Sequence, residues 1–83
     1  MKWNVYILEC GDMTLYTGIT NDIDRRLKAH RNGYGAKYTR GRGPLKLIYS
    51  EFYETRASAL KREAEIKRLS RNKKLGLVGD PLL

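Results

Sequence analysis

An α+β domain with elements in the order β-β-α-β-α is what this sequence predicts, and three observations lead there. Two short runs rich in β-formers, Asn4 to Leu8 and Leu15 to Ile19, are separated by little more than Cys10-Gly11-Asp12-Met13. A third such run, Leu45 to Tyr53, begins directly after Pro44, a residue tolerated at the first position of a strand. Two further stretches carry capping residues and apolar side chains at helical spacing, one between Asn21 and Asn32 and one from Thr55 to about Arg71. The expected product is a three-stranded sheet, antiparallel or mixed, with two helices hiding one of its faces.

The first two runs read as a β-hairpin in which Gly11-Asp12 supplies the positive φ of a tight connection. Its register has two solutions. A two-residue loop sets Tyr6 across from Thr17 and sends Tyr6 and Tyr16 to opposite faces, whereas a three-residue loop, Gly11 to Met13, sets Tyr6 across from Gly18 and puts both tyrosines on one face. In the first helix Asn21-Asp22-Ile23-Asp24 provides a cap and acids for the first turn, and Lys28 and Arg31 complement the last turn before Asn32-Gly33. Ile23, Leu27 and Ala29 define its apolar side, and Arg26 and His30 fall inside that arc. Gly33-Tyr34-Gly35 ends it. The segment from Ala36 to Gly43 is a basic, glycine-rich surface loop with no acid in it.

On the last helix Ala57, Ala59, Leu60, Ala64, Ile66 and Leu69 spread over one side, and Glu63 lies within that spread. Glu65 instead projects among Lys61, Arg62 and Arg68 as a solvated partner. The two glutamates therefore have different tasks. With 83 residues the chain is one domain, 1–83, with its core over about 3–75 and a short tail over 76–83. A formal charge of +8 favours a polyanionic partner, and from Arg56 to Lys74 there are eight basic residues against two acidic ones. One cysteine, Cys10, cannot form an intramolecular disulfide, and with one histidine beside it a structural zinc site is not expected. No apolar run approaches the ~20 residues of a membrane span. A reduced cytoplasmic setting without a membrane is the expectation.

Asn4-Val5-Tyr6 and Tyr16-Thr17-Gly18, followed by Asp24-Arg25-Arg26-Leu27, His30, Gly35-Ala36-Lys37-Tyr38-Thr39-Arg40 and Ala59-Leu60-Lys61-Arg62-Glu63, resemble the GIY-YIG nucleases over residues 3 to 75. The match is to their small stand-alone bacterial branch, which is related to the nuclease domain of the bacterial repair excinuclease. Asn4 replaces the first glycine of the family pattern, and Val5 and Thr17 replace isoleucines. The resemblance implies a divalent-metal-dependent DNA endonuclease, and structure-selective cutting in repair or recombination is compatible with it. It assigns Glu63 to a single Mg²⁺ (or Mn²⁺), Arg26 to the scissile phosphate, Tyr6 and Tyr16 to the water, and His30 to hydrogen bonding or proton transfer. Asn72 is the nearest candidate for the late polar residue many members carry. Chemistry selects the same residues: Glu63 is the only acid on an apolar helix face, Arg26 suits a phosphate in bidentate geometry, and a tyrosine beside a metal and an arginine can titrate low enough for base work.

Lys37, Tyr38, Arg40 and Arg42 in the loop, with Lys67 and Arg71 further on, are the candidates for nucleic-acid contact, Tyr38 through base stacking or a phosphate. DNA is the expected partner, RNA stays open beside it, and a protein partner supplying specificity fits the absence of an added recognition domain; the oligomeric state is not legible. Each residue also has a purely structural reading. Tyr34, Tyr49 and Tyr53 belong with packing, and an Arg26-Glu63 salt bridge would account for both inward charges without a metal. Two other functions accommodate the same features: a binding module of this fold that does not hydrolyse, and a basic interaction protein that docks an acidic partner.

Overall fold

The computed structural model describes residues 2–79 of the chain. Its sheet is fully antiparallel, in the order β2-β1-β3, with β1 at Trp3–Glu9, β2 at Leu15–Thr20 and β3 at Lys46–Tyr53. Three helices accompany it: α1 (Ile23–Arg31), α2 (Arg56–Lys67) and α3 (Arg71–Val78).

The hairpin takes the three-residue loop. Met13 N–H donates to Cys10 O at 2.9 Å and Cys10 N–H to Thr14 O at 2.8 Å, which sets Tyr6 opposite Gly18 and Leu8 opposite Tyr16. The left-handed residue is Met13, at φ 71°, and not the Gly-Asp pair. A turn followed by one left-handed residue is what three-residue hairpin loops use, and here a side chain bears the strain. Gly11 is needed for another reason: its N–H donates to Arg42 O at 2.6 Å, and a Cβ on it would overlap Gly43 O.

The helices cover opposite faces of the sheet, which corrects the expectation that they hide one. β1 is buried at four consecutive positions, Val5 to Leu8. A strand with one wet face alternates, whereas an uninterrupted apolar run requires cover on both sides. Val5 and Ile7 pack with Ala59 and Ile66 of α2, while Tyr6 and Leu8 pack with Leu27 of α1. The result is a three-layer molecule with a single strand common to two small cores.

α1 is capped as its sequence suggests. Asp22 Oδ1 accepts from Arg25 N–H at 3.1 Å, and at the other end Gly33 (φ 81°) lets Gly33 N–H donate to His30 O at 3.1 Å and Tyr34 N–H to Ala29 O at 2.8 Å. That pair of bonds is the Schellman motif. The helix expected from Thr55 to about Arg71 ends at Lys67, and a further helix that the sequence does not announce follows it, capped by Ser70, which accepts from Lys73 N–H at 3.3 Å. Leu77 of α3 packs against the α2-side core, so the segment past residue 75 contributes to the interior; 80–83 lie outside the described residues. On α2 the buried apolar stripe is only Ala59 and Ile66, with Leu60 exposed. Arg62, which the sequence assigns to the outer face, turns inward to Glu51 with its Nε 2.9 Å from Oε1. No helix among the described residues is long and apolar enough to cross a membrane.

Candidate active site

Tyr6, Tyr16 and His30 form one cluster on the α1 side of the sheet. Tyr6 stands at the centre of β1, and its ring lies across Gly18 of β2: a Cβ there would fall 2.6 Å from Tyr6 Oη and 3.0 Å from the Tyr16 ring. Tyr6 Oη is 2.8 Å from His30 Nε2. Tyr16 meets the imidazole edge-on, with ring centroids 5.3 Å apart. His30 is 2 % exposed, and on its far side Nδ1 lies 2.9 Å from Thr39 Oγ1. Gly35 fits the chain against the same ring, since a Cβ there would overlap Nδ1.

Thr39 is the residue that sequence reasoning missed. It sits in a 3-10 turn, Lys37–Thr39, within what the sequence reads as a plain surface loop, and it is 2 % exposed. Its single hydroxyl proton has two destinations. Directed to Ala36 O at 2.9 Å, it leaves Nδ1–H to donate to Thr39, and Nε2 then accepts from the Tyr6 hydroxyl. Directed to Nδ1, it sits beside the longer approach of Ala36 N–H to the same nitrogen at 3.4 Å, and the polarity of the chain reverses. A Thr flanked by Tyr38 and Arg40 gives no periodic signal; its neighbourhood to His30 is purely tertiary.

The charges around the cluster are unequal. Burial pushes the Tyr6 phenol up, and the Tyr16 and Glu63 charges add to this; Arg26 pulls it down, and the outcome is a value raised to about 12. Arg26 lowers the phenol as expected, but burial outweighs it, so Tyr6 keeps its proton near neutral pH. Burial also lowers the pKa of His30, with the Arg26 charge acting in the same direction, so the imidazole is held neutral. Tyr6 holds the Arg26 guanidinium above its ordinary value. Arg26 Nε is buried with no hydrogen-bond partner among the described residues. A buried cationic donor left unpaired costs stability, and it suits an anion arriving from outside.

Glu63 approaches from α2. Its carboxylate is 17 % exposed, pairs with Lys67 Nζ at 3.6 Å, and carries a charge felt at Tyr6. The alternative of an Arg26-Glu63 salt bridge is overturned: among the described residues the ion pairs are Lys67–Glu63, Arg62–Glu51, Arg62–Glu65 and Arg42–Asp12. Glu65 is the solvated partner expected of it. No group of three or more His, Cys, Asp or Glu side chains is assembled for a metal among the described residues. A single carboxylate whose charge is felt at Tyr6 fits Mg²⁺, which keeps most of its waters and binds through one or two carboxylates and a substrate phosphate. Asn72 is exposed on the first turn of α3.

The basic residues divide. Lys37 and Arg40 are exposed, and Tyr38 stacks on Tyr16 with centroids 5.9 Å apart. Arg42 covers the Tyr38 ring at 4.4 Å and pairs with Asp12 of the hairpin loop at 2.5 Å, so the acid absent from its own segment comes from another. Lys67 holds Glu63, and Arg71 donates to Met13 O. Tyr49 and Tyr53 pack as expected and donate to Glu51. Tyr34, which the sequence places with packing, is 83 % exposed.

Three comparisons bear on this arrangement. Residues 2–75 match the model of the GIY-YIG catalytic domain. A UPF0213 protein of Clostridium perfringens is 61% identical over 74 residues, which are 89% of this chain and 80% of that protein. The solution NMR structure of a UPF0213 protein from Bacillus halodurans is 50% identical, covers 99% of this chain and 90% of its own, and superposes with a TM-score of 0.63. The chain belongs to the GIY-YIG catalytic domain family.

Proposed function

We propose that this protein is a divalent-metal-dependent endonuclease that hydrolyses phosphodiester bonds in DNA, with Tyr6, Tyr16, Arg26, His30 and Glu63 as its catalytic set. The observation that carries the reading is the buried, unpartnered Arg26 Nε beside the Tyr6–His30 hydrogen bond of 2.8 Å. The Tyr6 and Tyr16 phenols lie against the guanidinium, but its buried Nε has no acceptor among the described residues and is available to a phosphate oxygen.

The geometry supports a division of roles. Arg26 binds the scissile phosphate and neutralises charge that builds on its oxygens. With the proton on His30 Nδ1 and Thr39 as acceptor, Nε2 accepts from Tyr6. Tyr6 takes a proton from the attacking water as its own passes to His30, while the bond from water oxygen to phosphorus forms and the bond to the leaving oxygen breaks. With its pKa raised to about 12 the Tyr6 phenol keeps its proton near neutral pH, which supports a relay over a pre-formed phenolate. Tyr16 walls the imidazole and limits its rotation. Glu63 would hold Mg²⁺ or Mn²⁺, and the ion would supply further neutralisation of the phosphate. Lys67 is its resting counter-ion.

The test is cleavage of labelled duplex, branched and single-stranded DNA in Mg²⁺, with Glu63→Gln alongside. Activity in the parent protein and its loss in the variant, with DNA still bound, is the expected result. Salt-sensitive binding by both proteins without cleavage by either would end the enzymatic reading in favour of a binding module.

A further inference from the structure

Beside Tyr16, β2 faces α2 and α3 across an open groove of about 390 Å³ lined by Leu15, Tyr16, Thr17, Tyr38, Lys67 and Lys74. A neighbouring hollow of about 230 Å³ shares Tyr38 and Lys74 and adds Arg71. Among the described residues no acidic side chain lines either one. Two features single this surface out from the rest of a basic exterior. The first is a ladder of flat groups, Tyr16 on Tyr38 at 5.9 Å and Tyr38 under the Arg42 guanidinium at 4.4 Å, in which Asp12 holds the outermost plane and Tyr38 remains 42 % exposed. The second is that the ladder starts at a member of the catalytic cluster, Tyr16, and faces ammonium groups across the groove. Thr17, buried in its wall, has a hydroxyl with no partner among the described residues.

Resting on the nuclease reading, we propose that this groove takes an unpaired strand of nucleic acid adjoining the scissile phosphate, with one base stacked at the Tyr38–Arg42 end of the ladder and the backbone phosphates on Lys67, Lys74 and Arg71. Aromatic rings and guanidinium planes recognise the π-face of a base, and that face is free only when the base is unstacked. A duplex keeps its base faces covered by neighbouring pairs, so it can use the lysines but not the ladder. The substrate class that satisfies both halves of the groove is therefore a single-stranded segment, such as the flap or gap beside a duplex end. Lys74 becomes a binding residue under this assignment, through its charge, and Arg42 acts through its plane.

Binding is read by fluorescence anisotropy on the intact protein in EDTA, with an oligothymidylate about ten nucleotides long and a duplex of equal length. Tyr38→Leu is expected to weaken the oligothymidylate by about ten- to a hundredfold and the duplex by less than about twofold. Tyr38→Phe keeps the ring and should keep the affinity. Lys67→Ala with Lys74→Ala should make the salt slope shallower by about 0.7 for each phosphate that is no longer neutralised. Because Tyr38 supports Tyr16 and its removal can disturb the fold, the parent protein is also photocrosslinked to the same oligonucleotide carrying 5-iodouracil, with the adduct expected on the peptide that contains Tyr38. An unchanged oligothymidylate affinity in Tyr38→Leu, an equal weakening for duplex, or an adduct elsewhere would overturn the assignment. Glu63-dependent cleavage without any effect of Tyr38 would leave the enzyme and remove the groove; capture of the oligonucleotide at Tyr38 without cleavage would do the reverse.

Discussion

Tyr6 and His30 depend on glycines that leave them room. At Gly18 a methyl group would lie 2.6 Å from Tyr6 Oη, and strand pairing fixes the Gly18 backbone opposite that of Tyr6, so the ring has to give way. Gly18→Ala should therefore break the Tyr6–His30 bond, lower stability by about 1–3 kcal/mol as overpacked sites do, and abolish cleavage; thermal melting and the nuclease assay read the two effects. Wild-type melting and activity would mean that the ring has space to move. His30 makes a pH prediction of its own. Its folded-state pKa lies below the ordinary 6.5, first because it is buried and then because Arg26 is near. Between the two values the unfolded chain binds the proton and the folded chain does not, so stability is complete above 6.5 and falls as the pH drops through that window. It is the chain's only histidine, so His30→Gln should flatten the dependence of denaturant midpoint on pH between about 7.5 and 5. An equal slope in parent and variant would assign the titration elsewhere.

β3 and α2 are held together by one carboxylate. Glu51 accepts from Arg62 Nε at 2.9 Å and from Tyr53 Oη at 2.7 Å, and Tyr49 donates to it as well. Burial alone would raise its pKa; the Arg62 pair and the two phenols outweigh this and bring it down to about 2. The folded-state value is depressed, so the stabilisation is present above about 4.5 and is lost as pH falls through the range down to about 2. Glu51→Gln should cost about 2 kcal/mol at neutral pH and remove that acid limb, which equilibrium unfolding from neutral to acid pH would detect; an acid limb that persists in the variant would point to another carboxylate. None of this network is legible in the sequence, where Tyr49 and Tyr53 read as packing and Arg62 as solvated. The helical wheel of α2 is dominated by its many alanines and Leu60, but a twelve-residue helix crossing a three-stranded sheet buries a narrow stripe, and Arg62 and Glu63 occupy it beside Ala59 and Ile66. The hairpin, the caps of α1 and the inward arc of Arg26 and His30 are legible because each follows from local spacing. Thr39, the Asp12–Arg42 pair and the break at Ser70 are not, since the first two are decided by tertiary approach and the third by a cap in the midst of a basic run.

At the scale of the molecule the telling feature is that β1 serves two cores whose residues alternate along it. Val5 and Ile7 belong to the α2 side, and Tyr6 and Leu8 to the α1 side, so neither core can open without the strand that completes the other. Each core alone is too small to hold a domain of 83 residues, and the shared strand is what makes their stabilities one quantity. The single tryptophan offers a test, because Trp3 packs in the α2-side core, on the face away from α1. Leu27→Ala empties part of the α1-side core and should lower stability by about 2–5 kcal/mol. If the cores are one cooperative unit, Trp3 fluorescence will shift its denaturant midpoint as far as the far-ultraviolet circular dichroism does, although the substitution lies on the opposite face of the sheet. A Trp3 transition that stays at the parent midpoint while the dichroism moves would mean that α1 and the Tyr6–His30 cluster unfold on their own. The cluster proposed as catalytic would then be a unit whose stability is separate from that of the α2-side core.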